Sequence, residues 1–372
     1  MSEMAFAKHL LNHKHKTYSV ERARLVKGST EQCFGFQVAT KTIDEGVGAA
    51  QVAAAAGARW LDINVGCPIY EASRRGLGAV MLRKPRSLAK LVHGIATQSE
   101  IPVTVKIRTG ESDKKINVDR VVALLARTAA AAVTVHGRTM EQRYRRPADW
   151  SRVSDVARAH PELPIIGNGD VLTHYEVQRR MRESGAWAVM TGRGALIRPW
   201  LFLEYKQGRE LQLSAEERVG VYRHLVTLCK QHFGDDAKGR QKAWYFFPWH
   251  FDFLHRYRPL PEDVYGAASL EQPLLTTRTD TVDARLGETL DSLDPLERLL
   301  RCESEVCHQE VAAALWDAGS DAEAVQRLRG LAATQLLSWE EAVRSSGQAT
   351  GDVSRGGGLA GRRSRGREEE EY

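Results

Sequence analysis

Apolar and β-branched residues are bunched along the first half of the chain in six short runs: Cys33–Val38, Trp60–Val65, Val103–Ile107, Val133–Val135, Pro164–Ile166 and Trp187–Met190. Longer Ala- and Leu-rich stretches separate them, with apolar positions recurring every three or four residues: Val47–Ala56, Ser87–Thr97, Asp119–Ala130, Trp150–Ala159 and His174–Glu183. Short β-branched runs read as strands and the 3.6-residue period as amphipathic helices. Strands that alternate with helices form a parallel sheet, because each crossover carries the chain back to start the next strand in the same direction. Six such strands, with room for another before Met4, suit a TIM (β/α)8 barrel better than an open sheet. Residues 1–27 read as helical, with Met4, Phe6, Ala7, Leu10 and Leu11 on one side and a basic run from Lys8 to Lys16 around them.

The pattern changes after Trp200. No further strand run follows, and helical periodicity returns at Ser214–Phe233, Asp294–Leu300, Ser304–Trp316 and Ala322–Arg344. An aromatic and basic segment, Trp244–Pro259, lies among them with His250, His255, Arg256 and Arg258. Three regions are therefore expected: a barrel over residues 1–200, a mostly helical domain over 201–344, and a Gly-, Ser- and Arg-rich disordered tail over 345–372 that ends in an acidic run.

Every strand run ends in polar residues or glycine: Gln37; Asn64 with Cys67; Lys106 with Arg108; His136-Gly137-Arg138; Asn168-Gly169-Asp170; and Gly192-Arg193-Gly194. In a barrel these ends converge on the rim where the site is built. One polar strand end is easily absorbed by packing, but six in succession are not. The stretch Leu61-Asp62-Ile63-Asn64-Val65-Gly66-Cys67-Pro68 is the clearest of them: a buried strand delivers a thiol to the rim and a proline pins the turn. A lone cysteine is usually a small core residue, but Cys67 follows the apolar run and is not inside it.

Composition narrows the partners. The 372 residues are 42% hydrophobic, enough for a large core, and carry a formal net charge of +6, with a pI near 9.0. That balance favours an anionic partner. Five cysteines without an even, closely spaced framework point to a reducing compartment. Cys302, Cys307 and His308 resemble half a zinc site, but no second pair lies near them and a helix is the better reading. No run is long and apolar enough to cross a bilayer and no signal peptide opens the chain, so an intracellular protein, cytoplasmic or nuclear, is expected.

The last two strand ends suit a phosphate, held by close-approaching backbone N–H groups with Arg193 adding charge. Lys106 would stabilise negative charge on a bound ring such as a reduced flavin, and His136 would hydrogen-bond the same cofactor. A thiol facing a flavin suits hydride addition to an unsaturated carbonyl, since the resulting enolate needs a proton and a mostly protonated Cys67 can supply it. A nucleophilic or a redox cysteine remains as an alternative; no cysteine–histidine arrangement and no CxxC is evident to favour either.

Asp62–Pro68, Val105–Gly110, His136-Gly137-Arg138-Thr139 with Gln142-Arg143-Tyr144 and Ala148-Asp149-Trp150, Gly167–Asp170, and Gly192–Leu196 followed by Pro199-Trp200-Leu201-Phe202 together resemble a tRNA-dihydrouridine synthase. The likeness is to the eukaryotic type that acts on position 47 in the tRNA variable loop, and it runs from Ser2 to about residue 260. The resemblance implies bound FMN, NADPH as reductant, and reduction of the C5–C6 bond of a tRNA uridine, with mRNA a further possible substrate. It places Cys67 as proton donor to C5. It implies Gln37, Lys106, His136, Asn168, Gly169, Asp170, Gly192 and Arg193 as FMN contacts, with Asn64 against the flavin or the base. The loop carrying Arg138, Arg143, Tyr144 and Arg145 would meet tRNA phosphates and an unstacked base, and the helical domain would grip the tRNA. A monomer is expected.

Three departures from the family pattern stand out. The family's first strand and its flavin loop precede the point where this chain starts, so the barrel is expected to lack its first strand. After Cys67 the family's glycine-rich run with lysine is replaced by Arg74, Arg75 and Leu77, and Met81-Leu82 stands in reversed order. The CCCH zinc fingers of many eukaryotic members are absent. Two rival readings follow: a flavin barrel that reduces a free pyrimidine, and a tRNA-binding protein without catalysis.

Overall fold

The computed structural model describes residues 1–12, 21–28 and 31–345. Among the described residues seven strands form one sheet: β1 (Ala5–Phe6), β2 (Gly35–Ala39), β3 (Trp60–Val65), β4 (Val103–Arg108), β5 (Ala132–His136), β6 (Ile165–Asn168) and β7 (Ala188–Met190). They lie in strict chain order, and each pairs in parallel with the next. A doubly wound sheet reverses its order at a switch point, whereas a (β/α) barrel does not. The sheet thus has barrel order with seven strands, and helices Ile43–Ala55, Pro85–Ala96, Val118–Leu125 and Trp150–Ala159 fill successive crossovers.

All six strands expected from the apolar runs are present, with ends shifted by a residue or two. The seventh lies where a helix was expected. Ala5 and Phe6 are extended and pair with Val38 and Ala39; among the described residues a helix follows at Ala7–Leu11 and residues 21–23 are again helical. Two residues are too few to show a period of two, so the helical pattern around them dominates the sequence. The basic run to Lys16 and the expected tail after residue 345 fall largely or wholly outside the described residues.

Register sorts the strand residues onto two faces. Gln37 pairs with Asp62, and Asp62 with Thr104; Asn64 pairs with Lys106, and Lys106 with Thr134; Arg108 pairs with His136, and His136 with Asn168. Paired residues share a face, and residues two apart along a strand do so as well. One face therefore carries Gln37, Asp62, Asn64, Thr104, Lys106, Arg108, Thr134, His136 and Asn168. The other carries Leu61, Ile63, Val65, Val103, Val105, Ile107, Val133, Val135 and Ile165, all buried. Hydrophobic burial holds the second face to its helices, which leaves the first face for chemistry.

The chain divides into two compact units. The first comprises Met1–Gly169 with Gln178–Met190 and holds the entire sheet; the second comprises Asp170–Val177 and, from Thr191, the rest of the described chain. The second unit is helical. Its longest helix, Ala215–Phe233, begins in a capping box between Ser214 and Glu217. It packs on Glu305–Asp317 and Asp321–Thr334 around Val219, Phe247, Leu315 and Leu328. Residues 170–177 join this unit because the buried Glu176 carboxylate accepts from the N–H groups of Leu172, Thr173 and Leu274. The single helix expected over Ala322–Arg344 is two, Asp321–Thr334 and Leu336–Ser345, broken at Gln335. Arg258 in the aromatic, basic segment is buried against Asp283, so that residue serves packing.

Candidate active site

Cys67 follows β3 by two residues, and its turn is held from three sides. Asn64 accepts through Oδ1 from the N–H groups of Gly66 at 3.1 Å and Cys67 at 2.9 Å, the turn a short amide side chain makes with its own backbone. Arg108 donates from Nε to the Gly66 carbonyl at 2.8 Å. The Cys67 carbonyl accepts from Ala79 N–H at 3.0 Å. Cys67 is partly exposed and, like Ile69, Phe6 and Met4, packs against the buried cluster of Ala39, Ala72 and Leu77. Burial raises its thiol pKa above the ordinary value, against the Ile69 N–H and the nearby Arg108 charge, which favour the thiolate. The sulfur is therefore a thiol at neutral pH.

A hydrogen-bonded chain runs away from that turn across the polar face. Asn64 Nδ2 donates to Gln37 Oε1 at 2.8 Å, and Gln37 Nε2 donates to Asp62 Oδ2 at 2.7 Å. Thr104 Oγ1 closes the chain with a 2.6 Å bond to Asp62 Oδ1. Asp62 is 1% exposed. Its burial raises the carboxyl pKa, and the bonds from Thr104 and Gln37 with the Lys106 charge oppose the rise.

Lys106 stands beside this chain. Its Nζ donates to Asn168 Oδ1 at 2.9 Å, and Asn168 Nδ2 donates to the Met190 carbonyl at 2.8 Å. Burial, with the Arg108 charge adding to it and Asp62 opposing, lowers the Lys106 pKa to about 8. His136, buried at the end of β5, lies 3.3 Å from Arg138 Nη1 through Nε2. Gly169 follows β6, and its carbonyl accepts from Trp150 Nε1 at 3.1 Å.

The loop after β5 separates its arginines. Arg138 is 0% exposed, with its Nε on the Arg146 carbonyl and its guanidinium carbon 5.7 Å from the centre of the Tyr144 ring. Expected among the surface contacts, it is a strut beneath the loop instead. Arg143 and Arg145 are exposed, Arg143 with a left-handed φ of 49°. Tyr144 is half-buried, its ring 6.4 Å from that of His136. In the second unit Arg193 Nη2 bonds Asp170 Oδ1 at 3.1 Å, and a side chain at Gly192 would meet nothing within 4 Å.

The geometry thus gathers Gln37, Asn64, Cys67, Lys106, His136, Asn168 and Gly169 in the first unit, and Asp170, Gly192 and Arg193 in the second. It adds Asp62 and Thr104, which strand-end reasoning passed over, and gives Arg108, read there only as a strand end, a fixed place on the Cys67 turn. The signal for the first two was parity: Asp62 shares a face with Asn64, and Thr104 with Lys106.

A parallel sheet in barrel order, a thiol at a strand end and a polar face with a cation beside it mark a (β/α)-type fold with a candidate reactive site on one face of its sheet. The family model described as Dihydrouridine synthase (Dus) matches residues 1–253, and the chain belongs to that family. A human protein named tRNA-dihydrouridine(47) synthase [NAD(P)(+)]-like is 36% identical over 201 residues, 54% of this chain and 31% of its own length. A tRNA-dihydrouridine(47) synthase [NAD(P)(+)] from Cryptococcus neoformans is 35% identical, covering 70% of this chain and 38% of its own. One from Coprinopsis cinerea is 34% identical, covering 69% and 40%. The chain therefore spans well under half the length of these relatives. Among solved structures, histamine dehydrogenase from Rhizobium sp. 4-9 aligns with a TM-score of 0.43 and 13% identity over 60% of this chain and 43% of that one, a likeness too low to bear on the site. No helix among the described residues is long and apolar enough to cross a membrane.

Proposed function

We propose that this chain carries the reacting centre of a tRNA-dihydrouridine synthase, reducing the C5–C6 bond of a tRNA uridine, at position 47 by analogy with its relatives' names. Cys67 gives the proton to C5. The observation that carries this reading is a thiol kept protonated by burial, on a turn clamped by Asn64 and Arg108, beside a polar face that ends in a cation. A general acid must hold its proton at working pH and sit in a fixed place, and Cys67 does both.

The residues present fit a flavin. Lys106 offers positive charge, and Gln37 and Asn64 offer amide N–H groups. FMN is the form proposed, held by Gln37, Asn64, Lys106, His136, Asn168, Gly169, Asp170, Gly192 and Arg193. When bound it supplies the hydride, drawn from NADPH. Arg143 and Arg145 would meet tRNA phosphates and Tyr144 a splayed base, with Arg138 supporting the loop from below. The helical unit is proposed to hold the tRNA body.

The test is reduction of uridine in tRNA from cells lacking the modification, by the FMN-loaded protein with NADPH. Cys67→Ala should retain the yellow flavin spectrum and lose roughly 10²- to 10⁴-fold in rate, the span general acids contribute. Unchanged turnover in that variant would remove Cys67 from the reaction, and reduction of free uracil without tRNA would favour a pyrimidine reductase.

A further inference from the structure

The polar face has a direction, and backbone groups dictate it. Gly66 and Cys67 can offer Asn64 only N–H groups, so the Asn64 oxygen must face them and its NH2 must face Gln37. The Gln37 oxygen is thereby committed to Asn64, and its NH2 turns to Asp62. Asp62 ends the chain as an acceptor, with its second oxygen on Thr104. Asn168 obeys the same logic from the other side: the Met190 carbonyl requires its NH2, so its oxygen is committed to Lys106.

Each amide oxygen on this face thus already accepts a hydrogen bond, while several N–H donors are left over. Asn64 keeps one N–H with no acceptor among the described residues, and Lys106 keeps two. The second N–H of Gln37 meets only the Met1 thioether at 3.9 Å, a weak acceptor. We propose that Asp62 is a positioning residue which, as the acceptor end of this chain, holds Gln37, Asn64 and Lys106 with N–H groups to spare, so that this stretch takes a heteroaromatic ring by an edge of carbonyl oxygens and unprotonated ring nitrogens in preference to an edge bearing N–H. The proposal rests on the flavin reading above and deepens it. Such a face also favours a ring that gains negative charge on that edge, because uncommitted donors strengthen their bonds as the charge grows.

Gln37→Glu tests it most directly, since it exchanges the NH2 for an oxygen that faces Asp62 and the ligand edge. Asp62→Leu leaves the Gln37 N–H without its acceptor, and Asp62→Asn keeps an oxygen available to it. The full chain is titrated with FMN by quenching of flavin fluorescence, and the midpoint potential of the bound flavin is measured, with circular dichroism and thermal melting to certify folding. Gln37→Glu is expected to weaken FMN at least 100-fold and to lower the potential of whatever flavin remains. Asp62→Leu is expected to weaken it at least tenfold, and Asp62→Asn less than either. Folded Gln37→Glu that binds FMN as tightly as wild type, at an unchanged potential, overturns the proposal and leaves the flavin reading intact. Wild-type protein that binds no FMN overturns both. Should Asp62→Leu fail to fold, the order of Gln37→Glu against Asp62→Asn decides alone.

Discussion

The guanidinium of Arg108 lies 2.8 Å, through Nε, from the carbonyl of Gly66, the residue before Cys67, and its Nη1 reaches the carbonyl of Thr139 at 2.9 Å. One buried cation on β4 thus ties the thiol-bearing turn to the loop that carries Arg143 and Tyr144. Burial lowers its pKa to about 10, with Arg138 and Arg143 adding to the fall, so the charge is kept where it costs most. Arg108→Met retains most of the stem and strips both carbonyls of their donor. Each buried orphan costs about 1–3 kcal/mol, so a loss of roughly 2–6 kcal/mol in urea unfolding is expected. Alkylation of Cys67 by iodoacetamide should quicken as its turn loosens; a stable variant with wild-type alkylation would refute the clamp.

Gly78 lies close under the same turn. Its φ is +70°, and a Cβ there would stand 2.5 Å from the Cys67 carbonyl oxygen. Gly76 has nearly the same φ, +72°, with nothing within 4 Å of its Cβ. The pair separates backbone strain from collision. Gly76→Ala should cost only the left-handed penalty, about 1–2 kcal/mol. Gly78→Ala should cost more and should also lower turnover, because the Cys67 carbonyl must move; equal effects in stability and turnover would show that the collision does not matter.

Lys106 sets a pH dependence with a definite sign. Its folded pKa near 8 is below its unfolded value of about 10.4, so between those values the unfolded chain holds a proton that the folded one lacks. Burying the charged lysine therefore destabilises the fold fully below about pH 8, and that cost is relieved as pH rises through the window. Measured against Lys106→Met, wild-type stability should climb from pH 8 to 10 in urea denaturation. FMN affinity should move the opposite way and fall as the cation is lost above pH 8, while Lys106→Met binds weakly at every pH. A flat difference in stability would place the Lys106 titration elsewhere.

Much of this was legible in the chain. The six longer strands were visible because β-branched residues line the face that packs on helices, and that pattern survives any loop between them. Cys67, Lys106 and Asn168 were visible because each ends a run. Ala5–Phe6 was not, since two residues carry no period, and its neighbours Leu10 and Leu11 impose a helical one. Asp62 was hidden inside an apolar strand, where an acid is tolerated only because Gln37 and Thr104 satisfy both oxygens. Arg138 reads as a surface arginine among Arg143, Arg145 and Arg146, and only three-dimensional placement shows it beneath them. Sequence separates charge from hydrophobicity well, but it does not say which member of a basic run is buried.

The second unit has its own buried charge, and it yields the sharpest stability test. Arg198 is 1% exposed, with Nη2 at 2.6 Å from Glu210 Oε1 and 3.2 Å from Glu204 Oε1. The two carboxylates also accept from backbone: Glu204 from Leu211 N–H at 3.0 Å, Glu210 from Leu260 N–H at 2.6 Å. Arg198 thus neutralises two acids that position two loops. Burial already raises the Glu204 pKa and the Arg198 charge restrains it. Arg198→Met would leave both acids without a counter-charge, at a cost of about 3–5 kcal/mol for a broken buried pair. A carboxyl whose folded pKa lies above its unfolded value stabilises when protonated, at low pH, and loses that contribution as pH rises through the folded pKa. The variant should therefore regain stability relative to wild type as pH falls from 7 to 5, and Glu204→Gln in the same chain should recover part of the loss at pH 7. Chemical denaturation across that range checks both; a variant equally destabilised at every pH, with no rescue by Glu204→Gln, would mean that Arg198 acts there by packing alone.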